Sequence, residues 1–134
     1  DLGCGYGYLA CEAARYAFQH ITATDNNAAA LAACKKNFEK LLKVPNEVVA
    51  SDAREHIDKC FEVILCNPPF HQGFSVDRDI EEQFLRCAKR LLAPAGTALF
   101  VVNKFIPIER NAEKHFNSVE VLSSNDSFKL VKLR

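Results

Sequence analysis

The stretch most informative about the fold is Val119-Glu120-Val121-Leu122-Ser123-Ser124-Asn125-Asp126-Ser127-Phe128-Lys129-Leu130-Val131-Lys132-Leu133. Two runs in it, Val119–Leu122 and Phe128–Leu133, are rich in β-branched and other apolar residues. The Ser-Ser-Asn-Asp-Ser segment between them favours a turn. We therefore predict an antiparallel hairpin here, in a chain whose earlier segments follow a different pattern.

Upstream of the hairpin, apolar strands alternate with amphipathic helices. The predicted strands are Ile21–Asp25, Val48–Ala50, Phe61–Cys66 and Ala98–Val102, and the predicted helices are Leu9–Phe18, Ala28–Leu42 and Ile80–Leu91. Continuous apolar strands separated by helices indicate a parallel sheet that is covered on both faces. The predicted fold class is α/β: a Rossmann-like, mostly parallel twisted sheet that ends in an antiparallel hairpin.

The composition is that of one globular domain over residues 1–134. The mass is 15.0 kDa, with 49% hydrophobic and 25% charged residues, a balance that excludes intrinsic disorder. No apolar run is long enough to span a membrane and no secretory signal is present, so we expect a cytoplasmic protein without a membrane partner. The 17 basic and 17 acidic residues cancel, so a nucleic-acid partner would have to be held with help from elsewhere.

Six cysteines raise the question of disulfides or a metal site; they are Cys4, Cys11, Cys34, Cys60, Cys66 and Cys87. No pair has Cys-x-x-Cys spacing, and no histidine accompanies a cysteine in a zinc-like array. Because most of them lie on apolar stripes, we expect buried, reduced thiols and no bound metal.

The segment Asp1-Leu2-Gly3-Cys4-Gly5-Tyr6-Gly7 places glycines at alternate positions between a strand and a helix. Glycine permits a sharp turn and lets a ligand approach the backbone closely, and a helix N-terminus beyond it offers unpaired N–H groups. Three interpretations are open. The loop could bind S-adenosylmethionine through Asp1, Gly3, Gly5 and Gly7; it could bind a dinucleotide, since Gly5-x-Gly7-x-x-Ala10 fits that fingerprint; or it could be a structural turn.

Two aspartates follow predicted strands, where ligands of parallel sheets bind. Asp25 ends the predicted strand Ile21–Asp25, 18 residues after Gly7, and its carboxylate could accept both hydroxyls of a ribose. Asp52 follows the predicted strand Val48–Ala50 and could accept a hydrogen bond from the amino group of an adenine. For each aspartate the alternative is a cap on the following helix.

The tetrapeptide Asn67-Pro68-Pro69-Phe70 follows the apolar strand that ends at Cys66. Two prolines fix φ and donate no N–H, so the turn is stiff and its carbonyls face outward. The amide oxygen of Asn67 and the carbonyl of Pro68 form a pair of acceptors that suits a planar amino group, and Phe70 adds a flat face for stacking.

These acceptors would stabilise the positive charge that grows as an amine attacks a sulfonium methyl group, without a general base or a metal. A dehydrogenase has no use for such an arrangement. The motif therefore favours an amino methyltransferase in which Asn67, Pro68 and Phe70 are catalytic and Asn67 also borders the cofactor, S-adenosylmethionine.

The sequence resembles the RsmC/RlmG-type ribosomal RNA guanine-N2 methyltransferases in four segments. These are the opening glycine segment, Cys66-Asn67-Pro68-Pro69-Phe70-His71-Gln72-Gly73, Val101–Phe105 and Phe128–Val131. The family consists of class I enzymes with a "methyltransferase small" catalytic domain at the C-terminal end. The resemblance implies that the glycines hold the methionine end of the cofactor, that Asp25 holds its ribose, and that Pro69, Phe70 and His71 contact the guanine of ribosomal RNA. For His71 a solvent-facing loop position is the alternative, and Tyr6 departs from the small polar Asn common in the family.

The resemblance also implies a non-catalytic N-terminal domain in the same protein. Because the chain opens on Asp1 and contains no methionine, we expect an N-terminally truncated piece that lacks this domain and most of the first strand.

Two other functions stay open at this point. One is methylation of adenine N6 or of a protein glutamine, since those enzymes also use Asn-Pro-Pro, more often followed by Tyr. The other is a non-catalytic, RNA-binding copy of the fold, although such copies lose the glycine and Asn-Pro-Pro segments that this chain retains.

Overall fold

A computed structural model of the protein describes residues 1–51, 57–69 and 76–134, without the side chains of residues 76–78. Two compact units make up the chain, Asp1–Glu55 and His56–Arg134.

The first unit is an α/β arrangement around two parallel strands. Its elements are α1 (Tyr8–Ala13), β1 (Ile21–Asp25), α2 (Ala28–Leu41) and β2 (Asn46–Ala50). Strands β1 and β2 pair in parallel from Ile21 opposite Asn46 to Asp25 opposite Ala50. Residues 1–4 run beside β1: Leu2 bridges Thr24 in parallel, and the N–H of Cys4 donates to the Thr24 carbonyl at 2.8 Å. The predicted junction of strand and glycine loop is thus present.

Helix α2 covers this pair of strands because its apolar residues recur at helical spacing. Cys34 and Phe38, four residues apart, are fully buried against Ile21 and Ala23 of β1. At the start of the helix, Asn27 is the N-cap: its Oδ1 accepts hydrogen bonds from Ala29 and Ala30. An asparagine cap of this kind stabilises a helix by about 1 kcal/mol.

The second unit contains a four-stranded mixed sheet. Its elements are β3 (Phe61–Cys66), α3 (Val76–Leu91), β4 (Leu92–Asn103), α4 (Ile108–Ala112), β5 (Val119–Ser124) and β6 (Phe128–Leu133). The strand order is β3-β4-β6-β5. Strands β3 and β4 are parallel, whereas β6 is antiparallel to both β4 and β5. The predicted hairpin is confirmed, and it joins the sheet through β6.

Several elements differ from the sequence-based prediction in their bounds, and one was not predicted at all. The first helix ends at Ala13 instead of Phe18, because its last turn tightens: the N–H of Tyr16 donates to Ala13 at 2.9 Å, three residues back. Helix α4 was not predicted; its five residues bury only Ile108 and Ala112, too few for a periodic signal.

The strand predicted from Ala98 begins at Leu92. Phe61 pairs with Leu92 but Val63 pairs with Thr97, so the residues around Pro94 form a bulge. Proline has no N–H to give to a ladder, and Ala95 adopts a positive φ of 61°.

The cysteines follow the prediction in part. All six are free; Cys4, Cys34, Cys66 and Cys87 are buried, Cys11 is partly buried and Cys60 is exposed. None of the helices in the described ranges combines the length and apolarity that crossing a membrane requires.

Candidate active site

The glycine loop is built from three left-handed backbone positions. Gly3, Gly5 and Gly7 have φ values of 71°, 54° and 84°, a region that costs residues with a Cβ about 1–2 kcal/mol each. The loop closes on itself, since the N–H of Gly7 donates to the carbonyl of Cys4 at 2.8 Å. Alternate glycines are therefore needed here for conformation before any ligand is considered.

Gly5 and Gly7 differ in what surrounds them. A Cβ added to Gly7 would lie 2.7 Å from Sγ of Cys34 and 3.1 Å from a ring carbon of Phe38, so this glycine lets α2 pack on the loop. A Cβ added to Gly5 would meet nothing within 4 Å. Gly5 thus borders open space, where a ligand can approach the backbone.

Asp25 ties the end of β1 to the glycine loop. Its Oδ2 accepts the N–H of Gly5 at 2.8 Å, and its Oδ1 accepts the N–H of Asn27 at 2.9 Å. The helix-cap alternative for Asp25 is wrong, because Asn27 performs that function for α2. An ionised carboxylate offers about four lone-pair sites, so two backbone bonds leave room for the hydroxyls of a ribose.

The carboxylate of Asp1 points to the start of α1. Its Oδ2 accepts the N–H of Ala10 at 3.0 Å, three residues after the N-cap Gly7, which has no side chain to cap the helix. Asp1 therefore supplies from outside the helix the acceptor that Gly7 lacks. Sequence reasoning found Asp1 but missed this role, and it missed Asn27, whose signal was an Asn directly before an Ala-rich helix.

In the second unit, Asn67, Pro68 and Pro69 follow directly on β3, which ends at the fully buried Cys66. Pro68 is buried, whereas Asn67 and Pro69 are exposed. The loop is thus anchored through one proline, while the side chain of Asn67 is accessible to solvent. The remaining predicted residues, Asp52, Phe70 and His71, lie outside the described residues.

The thiols next to both loops are held in the protonated form. Burial raises the pKa of Cys4 from its usual 9.0 to about 12, with neighbouring Cys34 adding to the shift. Burial also raises the pKa of Cys66 well above its usual value, helped by Cys87. Neither thiol can act as a base or a nucleophile near neutral pH, which leaves hydrogen bonding by the carboxylate, amide and backbone groups as the chemistry of these loops. Within the described ranges, no cluster of His, Cys, Asp and Glu could hold a metal ion.

Comparison with known proteins identifies the family. Residues 1–132 match the methyltransferase small domain. The chain is 37% identical to the ribosomal RNA small subunit methyltransferase C of Hahella chejuensis over 97% of its own length and 38% of the relative's. It is 33% identical to the ribosomal RNA large subunit methyltransferase G of Photobacterium profundum over 96% of its length and 35% of the relative's.

Among solved structures, the chain matches the T. thermophilus 16S rRNA N2 G1207 methyltransferase (RsmC) in complex with AdoMet and guanosine. The TM-score is 0.86 at 27% identity, over 99% of this chain and 36% of the other. This match confirms the predicted Rossmann-like methyltransferase fold. The chain spans little more than a third of the length of these relatives. It belongs to the methyltransferase small domain family, within the class I methyltransferases that use S-adenosylmethionine.

Proposed function

We propose that this domain transfers a methyl group from S-adenosylmethionine to the exocyclic N2 amine of a guanine in ribosomal RNA. The observation that carries the proposal is the exposed Asn67 on a loop anchored by the buried Pro68, directly after a strand that ends at the buried Cys66. The names of the relatives, which are ribosomal RNA methyltransferases, support the substrate class.

The glycine loop fits the cofactor on structural grounds. Gly5 borders open space, and the Asp25 carboxylate keeps acceptor capacity beyond its two backbone bonds. We assign Gly3 and Gly5 to the methionine end of S-adenosylmethionine and Asp25 to its ribose hydroxyls. Gly7 contributes by letting α2 pack closely, and Asp1 by capping α1. Asp52, outside the described residues, stays proposed for the adenine amino group.

When bound, S-adenosylmethionine supplies a methyl group on a positively charged sulfur. The chain's own contribution is to hold the amine. The Asn67 amide oxygen and the Pro68 carbonyl accept its two N–H groups, which stabilises the positive charge that grows on nitrogen as it attacks. Removing one preorganised acceptor of this kind costs about 2.7–4 kcal/mol of transition-state stabilisation in other enzymes. The proton can leave after the transfer, so no side-chain base is required.

Substrate contacts follow from the same motif. Pro69, Phe70 and His71 are proposed to contact the guanine, with the ring of Phe70 stacked on it. A base within a helix must first be flipped out, at a cost of a few kcal/mol.

We propose that the part of the protein outside this domain contributes to RNA binding. The domain has no net charge, so its own electrostatic attraction for RNA is weak. We propose that residues 1–134 act as one catalytic domain and that a non-catalytic N-terminal domain of the same protein provides additional affinity for RNA. We also propose that the protein works in the cytoplasm, where ribosomal RNA is modified.

The experiment is a methyl-transfer assay with the full protein and radiolabelled S-adenosylmethionine. Ribosomal RNA, DNA and a release factor are offered in parallel, and the methylated product is digested and analysed by mass spectrometry. We expect label in ribosomal RNA alone, recovered as N2-methylguanosine. Recovery as N6-methyladenosine or as methylglutamine would replace the proposal with one of those activities.

The Asn67→Ala variant tests the mechanism in the same assay. Turnover should fall about 100-fold or more, while the affinity for S-adenosylmethionine stays nearly unchanged. Asn117→Ala, which alters an exposed asparagine in the turn before β5, is the matched control and should retain full turnover. Equal losses of turnover and cofactor affinity in Asn67→Ala would contradict the assigned role.

A further inference from the structure

The loop after β4 presents an aromatic side chain that the proposed mechanism does not use. Phe105 is 81% exposed, the most exposed of the large hydrophobic side chains in the described part of the chain. The next residue back, Lys104, is also exposed. A single exposed apolar side chain is common on protein surfaces and does not by itself indicate a ligand. What indicates one here is how the loop holds Phe105 and where the loop lies.

The loop that carries Phe105 is held in place by hydrogen bonds. The N–H of Phe105 donates to Oδ1 of Asn103 at 3.0 Å, and the N–H of Ile106 donates to the Asn103 carbonyl at 3.0 Å. The N–H of Lys104 donates to the carbonyl of Ser127 in the β5–β6 turn at 2.9 Å. Because the backbone is fixed on both sides of it, the ring is presented to solvent by a preformed turn.

Hydrogen bonds also stabilise the β5–β6 turn that contains Ser127. Oδ1 of Asn125 accepts the N–H groups of Ser127 and Phe128 at 2.9 and 2.7 Å. The hairpin therefore serves as a support for the Phe105 loop as well as an edge of the sheet.

The loop lies at the same edge of the sheet as Asn67. Strands β3 and β4 are parallel, with Cys66 opposite Phe100. Asn67 follows Cys66 by one residue, and Phe105 follows Phe100 by five. With strands about 4.8 Å apart and an offset of four residues at about 3.3 Å each, the two backbones are separated by on the order of 14 Å. This distance is too long for both to touch one base and short enough for a neighbouring nucleotide.

We propose that Phe105 stacks on the nucleobase next to the target guanine in a single-stranded stretch of RNA, with Lys104 against the adjoining phosphate. The inference rests on the proposed function and adds a second RNA contact to it. A flat ring and a cation side by side match the two repeating parts of a nucleic acid strand, base and phosphate. A protein partner is the alternative occupant, since Val121, Leu122 and Phe128 of the neighbouring hairpin are also exposed. Comparing protein-free RNA with ribosomal particles distinguishes the two.

The test compares three substitutions at one position in the full protein. Phe105→Ala and Phe105→Leu remove the flat ring, whereas Phe105→Tyr keeps it. We expect the first two to lower kcat/KM for protein-free ribosomal RNA about tenfold or more, mainly through KM, and Phe105→Tyr to restore it. The affinity for S-adenosylmethionine and the melting temperature should not change, because the side chain is exposed. Lys104→Ala should reduce the slope of binding against salt concentration by about one.

The outcomes separate this inference from the proposed function. If the wild-type protein methylates ribosomal RNA and Phe105→Ala does so equally well, the stacking contact is refuted while the function stands. Equal activity of the Leu and Tyr variants would replace stacking with a general apolar contact. A loss seen with ribosomal particles but not with protein-free RNA would assign the ring to a ribosomal protein and overturn the inference. Absence of any methylation of RNA by the wild type removes the function and the inference together.

Discussion

The backbone N–H of Gly5 donates to Oδ2 of Asp25 across 2.8 Å, joining the glycine loop to the end of β1. The same carboxylate accepts the N–H of Asn27, which in turn caps α2. The Asp25 side chain therefore holds the glycine loop and also the N-cap residue of α2. A ligand bound by Asp25 would be positioned by the glycine loop and by the start of α2.

Asp25→Asn should weaken binding of S-adenosylmethionine. The amide keeps one acceptor oxygen but loses the negative charge, and hydrogen bonds to charged groups contribute about 1.5–3 kcal/mol. We expect the Kd measured by titration calorimetry to rise roughly 10- to 100-fold. Asn27→Ala is the control for damage to this corner of the fold: it removes a cap, should cost about 1 kcal/mol of stability, and should affect the Kd much less. Wild-type affinity in Asp25→Asn would show that Asp25 does not hold the ribose.

Alanine substitutions at Gly5 and Gly7 should differ in their effects: Gly7→Ala should mainly lower the unfolding free energy, and Gly5→Ala should mainly lower the affinity for S-adenosylmethionine. Both place a Cβ on a left-handed backbone, but only at Gly7 does that Cβ collide with Cys34, at 2.7 Å. Gly7→Ala should lose about 2–4 kcal/mol of unfolding free energy from strain and overpacking. Gly5→Ala should lose about 1–2 kcal/mol of unfolding free energy. Its affinity for S-adenosylmethionine should fall by more than this loss of stability accounts for. Denaturant unfolding and calorimetry on the two proteins check the contrast, and equal stability losses would contradict it.

The Lys129–Glu109 ion pair should contribute more to stability than the Lys132–Glu120 pair. Lys129 on β6 is buried and its Nζ contacts both carboxylate oxygens of Glu109 at 2.6 and 2.7 Å. Glu109→Ala leaves that ammonium buried without its partner, which should cost about 2–3 kcal/mol, less than for a fully buried pair because Glu109 is partly exposed. Glu120→Ala breaks a more exposed contact of 3.2 Å and should cost less than about 1 kcal/mol. Urea unfolding of the two variants measures the difference; a loss at Glu109 no larger than at Glu120 would speak against it.

The buried thiol of Cys4 should make stability depend on alkaline pH. Its pKa is about 12 in the folded chain and near 9.0 when unfolded, so the folded state binds more protons between these values. The unfolding free energy contributed by Cys4 is therefore complete below pH 9 and is lost as pH rises toward 12. Stability measured from pH 8 to 11 should fall less steeply in Cys4→Ala than in the wild type. Parallel curves would mean that the thiol does not titrate this way.

The thiols should also differ in reactivity at neutral pH. Cys60 is exposed, whereas Cys4, Cys34, Cys66 and Cys87 are buried. A thiol reagent should modify Cys60 within the mixing time of a manual experiment and the four buried cysteines only on unfolding. Peptide mapping after a short labelling pulse identifies the sites, and Cys60→Ser provides the background. Rapid labelling of Cys66 would be inconsistent with its burial.

Much of this protein could be predicted from the order of its residues. The strands Ile21–Asp25, Phe61–Cys66 and Phe128–Leu133 were located to the residue, because continuous apolar runs bounded by turn residues have few alternatives. The family was also identified correctly, since the Asn-Pro-Pro-Phe segment and the alternate glycines are local patterns that survive in one sequence. The sequence did not predict the shorter α1, the bulge around Pro94 or helix α4. Each of these features depends on a few hydrogen bonds or a few buried residues, which leave no periodic pattern in the sequence.

Residue type and spacing alone indicated that the glycine segment of residues 1–7 turns sharply and that an amide, Asn67, stands between β3 and two prolines. Only the tertiary structure decided what each residue does there. It separated Gly7, pressed against α2, from Gly5, which faces open space; it gave Asp1 the capping of α1; and it assigned the cap of α2 to Asn27 in place of Asp25. The physical reason is that a Cβ clash and a side-chain acceptor act across contacts between segments distant in sequence, and such contacts exist only once the chain has folded.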